Sequence, residues 1–316
     1  MSFSNRFLAR SGWFPTSADG EPWGHQRLCL DIGAPTPVGG LSPRQQDAIA
    51  TRFEAELTTV EPPEDGGFSI QLRRLDPSAF LAFERRGWVY SLDTDPGPDQ
   101  IRIAGYGFAG IIRLRGDRTA LLWTAEQQER AFLTLFENFF RVLLANRTLS
   151  KGGVILHSAG VVGDDGARVF FGHSGAGKST LARLAVASGR RILSDDLNLI
   201  EAGDPPRVRR IPFAGELAQV TAEHPDYPLA GLYQLRQGEH GVVPLSPGTA
   251  QAALLASAPF VNHDPFRLPQ LLDNLARLSG AYPVNALSFR KDRVRWDLID
   301  QSAMVRAADL TPRRIP

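Results

Sequence analysis

The sequence predicts an α/β protein in two parts: a smaller, β-rich α+β domain followed by a phosphate-loop domain. Three observations carry this. The apolar run "ARVFF" enters a glycine loop, Gly172–Ser179, which opens into the helix-like "KSTLARLAVASG". A second apolar run, "GVILHSAGVV", precedes it through the hairpin-type turn "GDDG". Upstream of residue 124, short strand-like runs separated by Gly and Pro turns dominate.

Taken in order, residues 1–24 are rich in Gly, Pro and Ser and read as a flexible N-terminal arm. Residues 25–123 form the N-terminal α+β domain. "HQRLCLDIG" reads as a strand and Gly39-Gly40 as a turn. Ser42-Pro43 caps a helix over "RQQDAIATRFEAEL", with Pro at the first helical position. Glu61–Gly67 reads as a loop, followed by strands at "FSIQLRRL", "WVYSLD", "QIRIAGYGFAGIIRLRG" and "TALLWT". Residues 124–316 form the second domain. Thr124 and Gln127 have capping-box spacing at the head of a helix. Its Phe132, Phe136, Phe139, Phe140 and Leu143 recur at threes and fours, a packing stripe that ends near Gly152-Gly153.

The 316 residues suffice for both domains, and a net charge of +1 asks for neither nucleic acid nor a membrane surface as partner. A single cysteine excludes an internal disulfide and a thiolate metal site. With no spanning segment and no secretory core at the N-terminus, the expected location is the cytoplasm.

The chemistry concentrates after residue 150. Gly172, His173, Ser174, Gly175, Ala176, Gly177, Lys178, Ser179 and Thr180 satisfy G-x-x-x-x-G-K-[ST] in a strand–loop–helix context. Glycines let backbone N–H groups curl around phosphate oxygens, and the helix N-terminus adds its dipole. Lys178 would neutralise the β- and γ-phosphates, and the Ser179 hydroxyl would ligate Mg²⁺.

Farther on, "RRILSDDLNLI" delivers Asp195 and Asp196 at the end of a short strand. Neighbouring strand side chains point to opposite faces, so one carboxylate can hold the metal or accept a proton while the other faces elsewhere. His157 lies on the hairpin strand beside the loop, placed either to pack or to orient an aspartate. Glu216 is a candidate outer metal group. Arg207, Arg209 and Arg210 form a basic cluster, read first as a solvated strand face.

The transporter ATPases share this loop, but the chain has "LSGAY" where they have their signature and no apolar run ending in Asp-Glu. A switch GTPase would need N-K-x-D, which is absent. A strand histidine, a hairpin, G-x-S-G-x-G-K-S-T, a helix and then "SDD" resemble HPr kinase/phosphorylase and its relatives. Their core is akin to phosphoenolpyruvate carboxykinase. The resemblance covers His157–Ile200 closely, and "IPFAGEL", "GVVPLSP" and the C-terminal "LPQLLDNLARLSGAYPVNALSFRKDRVRWDLI" more loosely.

The resemblance implies a P-loop kinase domain that uses ATP and Mg²⁺ to phosphorylate a hydroxyl. One aspartate would act as base and the other would help hold Mg²⁺, with His157 beside the base. Asp195, reached first as the strand leaves the core, is assigned the base, and Ser179, Asp196 and Glu216 the metal. The chain departs from the family in reading Lys-Ser-Thr for Lys-Ser-Glu and in its N-terminal domain. The acceptor is therefore read as a serine of a small protein or peptide, with HPr itself not implied. A homo-oligomer stays open. So do a small-molecule kinase and a nucleotide-gated binding protein that transfers nothing.

Overall fold

The computed structural model describes residues 7–9, 12–60, 67–80, 92–125, 129–213 and 222–301. The chain is a mixed α/β protein with two multi-stranded sheets and, among the described residues, five α-helices. It divides into two compact units, Met1–Arg147 and Thr148–Pro316.

The first unit holds β1 (Glu21–Pro22), β2 (Gln26–Asp31), β3 (Pro35–Leu41), β4 (Ser69–Arg74), β5 (Leu92–Pro96), β6 (Gln100–Gly105), β7 (Phe108–Arg113) and β8 (Thr119–Thr124). They lie in the order β2-β3-β4-β8-β7-β6-β5, with β1 on β4. Helix α1 (Pro43–Arg52) starts on the expected capping box between Ser42 and Gln45. Gly39 and Gly40 fall inside β3 and do not form the expected turn. Gly40 takes a φ of +74° where a Cβ would stand 2.4 Å from Leu72 O, so the residue serves close strand approach.

Three expectations about this unit are revised. Thr124 ends β8 and does not begin a helix: it is fully buried, and its hydroxyl donates to Gly107 O at 2.8 Å. Helix α2 spans Glu129–Ser150, and Gln127 lies outside the described residues. The division between units falls at Arg147/Thr148, because the apolar stripe of α2 packs within the first unit. Phe136 meets Phe53 at 6.0 Å between ring centroids, Phe139 covers Gly110, and the Arg147 guanidinium donates to Ile32 O, Ala34 O and Thr36 Oγ1. Where described, the N-terminal arm is tied down. Phe7 and Leu8 are buried, and Trp123 Nε1 donates to Asp19 O at 2.8 Å.

The second unit holds β9 (Val154–Gly163), β10 (Gly166–Phe171), β11 (Arg191–Ser194), β12 (Leu197–Glu201), β13 (Arg207–Arg210), β14 (Asp226–Gln237), β15 (Gly241–Pro244) and β16 (Val284–Phe289). Its helices are α3 (Lys178–Ala187), α4 (Pro247–Ala256) and α5 (Leu268–Ala281). The long strands β9 and β14 each serve two ladders. One runs β11-β9-β10-β14-β16-β15 and the other β9-β12-β13-β14. Helix α3 buries Leu181, Ala182 and Ala185 in a core with Ala159 and Val161 of β9, Phe170 of β10 and Leu235 of β14. Among the described residues, no helix is long and apolar enough to cross a membrane.

Candidate active site

The hairpin β9–β10 forms as the sequence suggests, pairing Gly166↔Gly163 through Phe171↔Ser158. The chain leaves β10 into the glycine loop and enters α3 at Lys178. Gly175 and Gly177 take φ of +80° and +106°, a region that disfavours side chains. A Cβ on Gly177 would also stand 2.8 Å from the Phe289 ring. Gln237, at the end of β14, donates from Nε2 to Gly175 O at 3.1 Å and braces the loop from outside. The first turn of any helix has backbone N–H groups without intrahelical partners, and here those of α3 adjoin the loop.

Lys178 is buried, with Nζ 3.2 Å from Gly172 O and 3.4 Å from His173 O. Burial lowers its pKa from the ordinary value, while the Asp196 carboxylate opposes that shift. His157 stands on β9 in the alternation Ile155, His157, Ala159, Val161. The last two of these pack under α3, so the imidazole lies on the α3 face, at the loop end of the strand. Its Nε2 is 3.5 Å from Asp196 Oδ1. Burial and then the Lys178 charge push the imidazole pKa down, and Asp196 pulls it up. Lys178, His157 and Asp196 thus form one electrostatic group at the mouth of the glycine loop.

No protein-family model matches the chain, and no curated protein matches it.

Asp195 and Asp196 occupy the bend between β11 and β12, both of which pair antiparallel with β9. Asp195 is buried, at 8 % exposure, whereas the Asp196 side chain is 34 % exposed. The described geometry sets Asp196 beside His157. Glu216 lies outside the described residues.

Arg207 and Arg209 are held in ion pairs with Asp226, and Arg209 also with Glu201. Two of the basic cluster's three members thus serve strand–strand pairing, with Arg210 on the same strand. Sequence reasoning passed over Gln237, Ser158 and Asn198. Asn is uncommon within strands, and one at position 198 inside the apolar run "LNLI" was the available signal.

The loop and the bend after β11 carry oxygen donors, Ser179 and the Asp pair. Among the described residues no group of three or more His, Cys, Asp or Glu side chains could cage a metal alone. Mg²⁺ is commonly held by one or two protein oxygens, with phosphates and water completing the shell. Ser179, next to Lys178, and the Asp pair offer that chemistry.

Proposed function

We propose that residues 148–316 form a P-loop kinase domain of the HPr kinase/phosphoenolpyruvate carboxykinase type. It would transfer the γ-phosphoryl group of ATP to a hydroxyl, in the first instance a serine of a small protein or peptide. The observation that carries this reading is the juxtaposition of Asp196, His157 and Lys178 at the glycine loop. Docking a nucleotide needs the loop and its lysine. It does not need an imidazole–carboxylate pair beside them.

In this reading the loop amides and Lys178 hold the triphosphate, and Ser179 with Asp195 holds Mg²⁺, which neutralises phosphate charge when bound. Asp196 accepts the proton of the acceptor hydroxyl. The hydroxyl oxygen forms its bond to the γ-phosphorus as the bond to the β–γ bridging oxygen breaks, and that electron pair leaves with ADP. His157 orients Asp196. Burial and the Lys178 charge hold the imidazole pKa below the ordinary value, which favours the neutral form as the partner of Asp196. The resemblance sets its histidine beside the base, and the 3.5 Å approach of His157 to Asp196 supports assigning that role to Asp196 in place of Asp195.

Incubation with γ-labelled ATP, Mg²⁺ and a panel of free serine, Ser-ended peptides and HPr tests the proposal. Label should appear on a hydroxyl-bearing acceptor. Tight ATP binding with no label on any acceptor or on water overturns the kinase reading.

A further inference from the structure

Around Asp196 two side chains, those of Ser194 and Asn198, stand in for backbone partners. On both sides of the bend the strand keeps one register with β9: Ser194 pairs with Gly160, and Leu197 with His157. That register sets Asp196 opposite Ser158. In a regular antiparallel ladder such a pair exchanges both of its N–H···O bonds. Here Ser158 N donates to Asp196 O at 2.9 Å, as a ladder requires. The reciprocal bond is replaced at both ends. The Asp196 N–H goes to Ser194 Oγ at 3.3 Å, and Ser158 O accepts from Asn198 Nδ2 at 2.8 Å.

The same amide also reaches Ser158 Oγ at 3.0 Å, and Ser158 and Asn198 are both fully buried. The fit is tight. Asn198 Oδ1 stands 2.4 Å from where a Cβ on Gly160 would be, so a side chain there would displace this amide.

The consequence follows from strand alternation. A residue opposite Ser158 belongs on the face of Ser158, away from His157. With its reciprocal ladder bond replaced by side chains, the backbone bends at Asp196 while the Ser158 N–H still holds its carbonyl, and the carboxylate comes within 3.5 Å of His157 Nε2. We infer that Ser194 and Asn198 are positioning residues, substituting for the missing ladder bond so that Asp196 turns onto the face of the glycine loop. The pattern is Ser-x-Asp-x-Asn, with the turned aspartate central. The structural part of this inference stands on the hydrogen bonds alone, whereas its consequence for transfer rests on the proposed kinase function.

The test uses the full chain and two independent variants. Asn198→Leu keeps the branched shape and removes the donor, and Ser194→Ala removes the acceptor at a partly exposed site. Ser194→Thr restores a hydroxyl. Crystal structures of Asn198→Leu or Ser194→Ala should show Asp196 N bonded to Ser158 O and the carboxylate withdrawn from His157. Transfer should fall about 100-fold or more, the scale of losing a positioned acid–base group. ATP affinity should stay within about twofold, and Ser194→Thr should recover most of the rate, a split that general destabilisation would not give. If either variant folds and keeps the His157–Asp196 approach, the inference is overturned. A wild type that labels nothing refutes the kinase reading, and the crystallographic arm then still decides this one.

Discussion

The meander β6–β7–β8 of the first unit and the β9–β11–β12 region of the second solve the same problem in opposite ways. In the first, β7 pairs with β6 and β8 without a register shift, and backbone satisfies backbone. Ile101, Ile103, Phe108, Ile112 and Leu122 are then left with nothing to do but pack, and all are buried. In the second, the strand opposite β9 shifts register between Ile192 and Ser194 and breaks at Asp195-Asp196. Side chains complete the hydrogen bonding there, and a carboxylate reaches an imidazole. The unbroken ladder leaves its side chains to packing, and the interrupted one sets a carboxylate beside an imidazole.

The contrast can be broken from either side. Phe136→Ala empties the aromatic contact with Phe53 and Phe140 in the first unit. It should cost about 3–5 kcal/mol of stability, read by denaturant unfolding, while the ATP affinity of the variant that remains folded is unchanged. A large loss of ATP affinity would mean that the first unit shapes the glycine loop.

Lys178→Ala should act in reverse. ATP affinity should fall about 10- to 100-fold, as expected for losing a charge-assisted contact, with the unfolding midpoint nearly unmoved. Calorimetric titration with ATP separates the two outcomes.

A subtler probe is the titration of His157, followed by NMR. Its midpoint should lie below 6.5 in the wild type, because burial and Lys178 depress it. Asp196→Asn removes the opposing charge and should lower the midpoint further, whereas Lys178→Ala should raise it. The linkage sign follows. The unfolded state binds the proton more readily, so this group's contribution is fully present above pH 6.5 and is lost as pH falls through the depressed folded value. A midpoint above 6.5 would contradict the placement beside Lys178.

The smallest effect is expected at Arg207→Ala, whose ion pair with Asp226 is substantially exposed. Removing it should cost at most about 1 kcal/mol and leave transfer intact. A marked loss of transfer would reopen the basic cluster as part of the site.

Much of the second unit was legible in the residues, since the hairpin, the glycine loop, α3 and the strand before the Asp pair are each marked by local pattern. The errors came where distant contacts override local signals. Thr124 and Gln127 have helix-capping spacing, yet Thr124 is claimed by β8 through pairing with Phe108. Gly39-Gly40 resembles a turn, yet the chain uses the room to bring β4 alongside. Periodicity does not distinguish the two aspartates, whereas the distance to His157 does. Alternation alone cannot reveal that Ser194 and Asn198 turn the backbone between them.

The measurement closest to the central claim compares ADP formation by Asp196→Asn and by wild type at saturating ATP and Mg²⁺, with ATP affinity determined in parallel. Asp196→Asn should bind ATP as wild type does and lose transfer by about 10²- to 10⁴-fold, the range of a positioned general base. Wild-type turnover by Asp196→Asn would contradict the account, and the His157–Asp196 approach would then be packing alone.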